Sequence, residues 1–248
     1  MLSNTLNLAL LSAAVLGFRH GFDYDHIAAI SDITSVETSR KRAMRMGLLY
    51  VLGHAAMVAV LGGAVIFFQR SLPKSIDRWA ERAVGFTLVI LGLYVLGSLF
   101  RDKANSPKSR ASVLIGAGCW LGWKFRQIIG AVPTERPEPG SGSYSRRSVF
   151  LIGIVHGLGA ETPSQLLLFL LAANLGGLAR GTLGLAVFLA GLLAMNTLMT
   201  ASAVGIFGLS AAKPGILRFV IGATAAYSVV VGSIFLFGVS SSLPQLRG

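Results

Sequence analysis

Charge is what this sequence has least of. Asp, Glu, Lys and Arg make up 13% of the 248 residues, against 53% hydrophobic ones, whereas a globular domain usually carries about 25% charged residues. That deficit argues against an ordinary soluble domain, and so against a soluble enzyme. A single cysteine, Cys119, excludes an intramolecular disulfide framework and any CxxC metal or redox motif. Negative charge is the scarcer sign: ten Asp and Glu face 22 Lys and Arg, a formal net charge of +12. On a soluble protein that excess would suggest nucleic acid, but here the basic residues sit in short connections beside apolar runs. The expected partners are therefore anionic lipid headgroups and not nucleic acid. The opening MLSNTLNLALLSAAVLGF has no basic segment ahead of its apolar core and runs on into polar residues, which speaks against a cleaved signal peptide.

What the sequence does have is long apolar runs. Six lie near 4–30, 46–69, 83–100, 148–172, 182–208 and 216–238, most of them close to the ~18–20 residues that cross ~30 Å of hydrocarbon. None reads as a strand. The expected fold is all-α: a polytopic membrane protein of about six transmembrane helices. Between the third and fourth runs, 101–147 begins with an apolar, aromatic stretch (112–126) suited to the membrane interface. It ends in VPTERPEPGSGSYSRR, a Pro, Gly and Ser-rich linker.

The chain thus divides into 1–100 and 148–248 on either side of a basic linker, and the halves echo each other. HGFDYDH at 20–26 aligns with HGLGAET at 156–162, setting Asp25 against Glu161, and AVGFT at 83–87 aligns with VIGAT at 220–224. Three spans is an odd number, so a duplication inverts the second half, giving two inverted three-helix repeats of the kind found in transporters. Four Lys and Arg lie in 31–45 and nine in 101–147, with Lys213 and Arg218 in the fifth-to-sixth connection. The other side holds Arg70, Lys74, Arg78, Arg82, Arg180 and Arg247. By the positive-inside rule the richer connections are cytoplasmic and both termini lie outside.

All four histidines, His20, His26, His54 and His156, fall inside apolar runs. The first run also carries Arg19, Asp23 and Asp25, and each ionised group at a helix centre costs roughly 2.5–3.5 kcal/mol even on a lenient scale. Such groups must line a polar cavity, pair with one another or hold an ion. At ~100° per residue His20, Asp23 and His26 share a stripe about 120° wide, from which Asp25 points away. Local unwinding at Gly21 would turn Asp25 inward and free backbone carbonyls. Imidazole with carboxylate suits a borderline dication such as Ni²⁺ or Co²⁺ better than Ca²⁺ or Mg²⁺. Gly53 beside His54 would let a neighbouring backbone approach at the same level. In the fourth run Pro163 breaks the helix near Glu161; His156 and Glu161 either complete a site or pair with each other. Asn196 and Thr197 carry a weaker signal.

RHGFDYDHI (19–27) resembles the His-x4-Asp-His signature of the nickel/cobalt permease family, usually written RHAxDADHI, with Arg19, His20, Asp23, Asp25, His26 and Ile27 all matching. LGHAAMV (52–58) is similar to the family's GHSTVV, with Ala55 and Ala56 in place of the hydroxyl residues. LGAETPSQ (158–165) is similar to LGFDTATE, with Glu161 for Asp and Gln165 for Glu. GLLAMNTLM (191–199) resembles GMxxxDTxD, with Asn196 and Met199 replacing both carboxylates. The resemblance implies secondary uptake of Ni²⁺ or Co²⁺ across a prokaryotic cytoplasmic membrane, closest to the shorter six-span relatives associated with urease or hydrogenase maturation.

The metal ligands expected on these grounds are His20, Asp25, His26 and His54, with Asp23, His156 and Glu161 as secondary candidates. The dication is the substrate, no tightly bound cofactor is expected, and the protein is not read as an enzyme; a homo-oligomer is left open. Efflux in place of uptake is the nearest alternative. A bis-histidine haem protein and a membrane metallohydrolase are more distant ones: the first needs an apolar macrocycle slot between paired histidines, and the second has no HExxH to support it.

Overall fold

A computed structural model describes residues 2–37, 39–68, 74–101, 144–159 and 163–238. The regular structure among these residues is entirely helical: α1 (Leu2–His20), α2 (Tyr24–Ser35), α3 (Arg40–Phe68), α4 (Lys74–Arg101), α5 (Arg146–Gly159), α6 (Pro163–Ser210) and α7 (Pro214–Leu236). Among the described residues, four stretches are long and apolar enough to cross a membrane: Arg40–Phe68, Arg78–Leu99, Gly177–Ser210 and Pro214–Leu236. The chain is an all-α, polytopic membrane protein, as its composition led us to expect. Leu8, Leu11 and Val15 on α1 and Phe67, Phe68 and Phe219 elsewhere stand exposed, an outer surface that suits lipid.

Two of the six apolar runs are not single helices. The first is cut at 21–23 into α1 and α2, Asp23 standing extended at φ −70°, ψ 157°. In the second half α5 ends at Gly159 and α6 begins at Pro163, as a proline without an N–H favours. α6 itself bends at Gly177, whose φ of 77° lies in the left-handed region that glycine alone enters freely. Most of the 101–147 linker, the stretch 112–126 and Cys119 included, lies outside the described residues.

Within a bilayer, helices gain little from burying apolar surface against each other, so close contact at small residues takes over. Three reciprocal glycine crossings carry the packing here. A Cβ at Gly17 would strike the Phe188 carbonyl and one at Gly191 the Ala14 carbonyl, which joins α1 to α6; Gly53 and Gly153 do the same between α3 and α5, against Phe150 and Tyr50. Gly85 and Gly232 meet where α4 crosses α7. Each half therefore packs its outer helices on those of the other. The short α2 threads the middle, with Ala28, Ala29, Ile30 and Ile33 buried against Met46, Tyr50, Val84 and Leu88.

The basic connections gather at one end. Gly208 near the end of α6 abuts the Arg40 side chain, and Arg42, Arg45 and Arg146 line one cavity of about 200 Å³ with Met46, Tyr144 and Ser145. The α2–α3 connection is tied there by an ion pair, Arg42 Nε donating to Glu37 Oε2 at 2.7 Å. Burial pushes the Glu37 carboxyl up, and the Arg42 guanidinium draws it back.

Candidate metal centre

The break between α1 and α2 brings two helix ends together inside the bundle. α1 closes through Phe22 N–H donating to the Arg19 carbonyl at 2.9 Å and Asp23 N–H to the His20 carbonyl at 3.1 Å. Gly21 has no left-handed φ. What it supplies is space, because a Cβ there would meet Met195 and the Leu192 carbonyl of α6. His20 thus sits in the last turn of α1, where the helix dipole favours positive charge, and Asp25 in the first turn of α2, where it favours negative charge.

Three imidazoles converge on this point. One ligating nitrogen each from His20, His26 and His54 lies within 4.8 Å of the others, and all three residues are buried. His26 Nε2 and His54 Nε2 are 3.2 Å apart. At metal–nitrogen distances of about 2.0–2.1 Å, neighbouring donors on one ion stand roughly 3 Å apart, so this pair already has chelating spacing. The rings of His20 and His26 cross edge-on with centroids 5.2 Å apart, and those of His26 and His54 at 4.4 Å. Phe188 of α6 closes one side, its centroid 5.8 Å from that of His20.

The carboxylates stand behind the imidazoles. Asp25 Oδ1 accepts from His26 Nδ1 at 3.1 Å, which presents His26 Nε2 to His54 and raises its basicity, a common outer-shell arrangement in metal sites. Unwinding does bring Asp25 inside, at 2% exposure, and its Oδ2 has no partner among the described residues. Asp23 Oδ2 lies 3.1 Å from His20 Nδ1 and orients it in the same way from the rim, with its side chain 42% exposed.

His156 on α5 lies next to this group without joining it. Its ring is 5.5 Å from that of Tyr50, which in turn lies 6.3 Å from both His26 and His54. His156 Nδ1 donates to the Ile152 carbonyl at 2.9 Å, and Nε2 is buried with no partner among the described residues. Asn196 on α6 is fully buried with both amide atoms similarly unpartnered, beside the Met195 that faces Gly21. Glu161 lies outside the described residues. Gly53 plays the part its sequence position suggested, letting the α5 backbone approach at the level of His54. Tyr50 and Asp32 are two buried residues with unpartnered oxygens that the motifs did not single out. Tyr50 looks like core filler one turn before His54, and Asp32 like the polar end of a helix.

Residues 6–101 match the NicO family model, described as a high-affinity nickel-transport protein. The matched stretch contains His20, Asp23, Asp25, His26 and His54. The cobalt transport protein NhlF of Rhodococcus rhodochrous is 29% identical over 189 residues, covering 71% of this chain and 52% of that protein. A high-affinity nickel transport protein of Cryptococcus neoformans is 26% identical over 68% of this chain and 36% of its own length. One from Cupriavidus necator is 24% identical over 98% of this chain and 73% of its own. The chain thus spans about half the length of the first of these relatives and about a third of the second. No solved structure matches it. The resemblance to nickel and cobalt transport proteins carried by the motifs is borne out by these matches.

Proposed function

We propose that this protein is a secondary transporter that takes up Ni²⁺ or Co²⁺ across a prokaryotic cytoplasmic membrane, with both termini outside. The observation that carries the reading is the meeting of His20, His26 and His54 from two broken helix ends and α3, with nitrogens within 4.8 Å of one another. Three borderline nitrogen donors backed by carboxylates suit Ni²⁺ or Co²⁺. Asp25 and Asp23 also offset the charge of the dication. The 3.2 Å between His26 and His54 leaves no slot for a macrocycle, which disfavours the haem alternative.

The ligands of this proposal are His20, His26 and His54. Asp25 and Asp23 hold imidazoles in place and supply negative charge, and His156, Glu161 and Asn196 are later contacts on the route. Alternating access follows if the two halves, 1–100 and 148–248, act as inverted repeats that rock about their glycine crossings. Anionic lipid at the Arg42, Arg45 and Arg146 cavity would anchor the basic end.

Uptake of radioactive Ni²⁺ by expressing cells, set against His20→Ala and His26→Ala variants that insert normally, tests the proposal. Accumulation above controls that both substitutions abolish is the expected result. Wild-type uptake in both variants would refute the site, and accumulation below controls would replace uptake with efflux.

A further inference from the structure

The centre described above leaves one buried carboxylate unused. Asp32 on α2 has 0% exposure, and neither of its oxygens completes a hydrogen bond among the described residues. The polar group beside it is the Ser228 hydroxyl of α7, which also lies 3.2 Å from the Thr224 carbonyl and shares its single proton between the two acceptors. Ionised in this setting, a carboxylate with at most one hydroxyl to donate to it is costly, and an apolar side chain would suit a position flanked in sequence by buried Ile30 and Ile33 better. A group of that kind inside a membrane protein points to a function.

Its position says which function. Asp32 follows Asp25 by seven residues, two turns on the same face of α2, about 10 Å along the axis at 1.5 Å per residue. The residues between them on that face are Ala28 and Ala29, both buried, so only two methyl groups separate the carboxylates along this face. Tyr227 of α7 donates to the Tyr24 carbonyl at 3.4 Å and Ser228 lies by Asp32, so α7 runs alongside α2 from one carboxylate to the other. From the three histidines, α2 runs toward the end that carries Arg40, Arg42 and Arg45.

We infer that Asp32 is a second cation station on the transport route, an all-oxygen site that takes the dication from the three histidines and passes it toward the basic end of the bundle. This rests on the permease reading. Carboxylate and hydroxyl oxygens suit a borderline dication less well than imidazole does, and a conducting route needs sites weak enough to let the ion leave. A nitrogen-rich first station confers selectivity, and an oxygen-only second one allows release.

The test separates binding from flux, using Ni²⁺ alone as the probe. Purified protein is assayed for equilibrium Ni²⁺ binding and, in proteoliposomes, for initial Ni²⁺ influx. Asp32→Asn is expected to bind within about twofold of wild type, because the histidines are intact, while its influx falls at least tenfold; Asp32→Glu recovers part of the rate. Influx at the wild-type rate in Asp32→Asn would overturn the inference, as would loss of equilibrium binding, which would make Asp32 a support of the first site. If Asp32→Asn does not fold, Ser228→Ala answers the same question, with influx several-fold slower at unchanged binding expected and unchanged influx overturning it. Wild-type vesicles that move neither Ni²⁺ nor Co²⁺ would overturn the permease reading itself and this one with it.

Discussion

At the scale of single residues the site divides labour between nitrogen and oxygen, and each half makes its own prediction. Removing His26 takes away the imidazole that pairs with both His54 and Asp25, so His26→Ala is expected to abolish Ni²⁺ binding by the purified protein. Asp25→Asn keeps every ligating nitrogen and loses the carboxylate that orients one of them; outer-shell changes of this kind typically cost 10–100-fold in affinity. Titration calorimetry on the two variants checks the ordering, and Asp25→Asn weaker than His26→Ala would reverse the assigned roles. A proton on an imidazole blocks the metal, so Ni²⁺ binding is expected to weaken once the medium is acid enough to protonate the site, with protons released as the ion enters. Affinity unchanged down to the pH at which the protein unfolds would mean the histidines are not the ligands. The histidines were legible in the sequence because ionisable groups inside apolar runs have few structural explanations. Asp32 was not, since its burial depends on neighbouring helices, α7 with Ser228 among them, which local sequence does not reveal.

At the scale of elements, the positions of the breaks could be read and their causes only in part. Polar residues crowded at 19–26 mark a place where a straight helix cannot aim every side chain inward, and the chain does open there. The glycine at that point works by close approach to Met195 and not by its φ, a distinction that needs the neighbouring helix. The same holds for the crossings. Gly53→Leu forces α3 from the Phe150 carbonyl, and overpacking of this kind costs about 1–3 kcal/mol, which should appear as a lower unfolding temperature in detergent. Gly63 on the same helix has nothing near its missing Cβ, so Gly63→Ala is expected to leave that temperature unchanged or raise it slightly. Equal effects at both positions would mean that helix propensity, and not the crossing, governs stability here.

At the scale of the whole molecule the packing gathers basic residues at one end, and by the positive-inside rule such an end is expected to face the cytoplasm. Arg40 by Gly208, and Arg42 and Arg45 by Arg146, bring three connections, distant in sequence, to one end. Gly222 next to Leu99 and Tyr144 with its ring centroid 5.1 Å from that of Tyr94 bring the end of α4 to the same side. If that side is cytoplasmic, the 101–147 connection and its lone thiol, Cys119, are cytoplasmic too. A membrane-impermeant maleimide added to intact cells is then expected to leave the protein unlabelled, and to label it once the cells are permeabilised. Because Cys119 is the one cysteine of the chain, the native protein serves without engineered thiols, and any label reports on this connection. Labelling of intact cells would invert the molecule. The route from the three histidines past Asp32 would then lead outward, and an inside-negative potential, which favours entry of a dication by about 4.6 kcal/mol per 100 mV, would oppose movement along it.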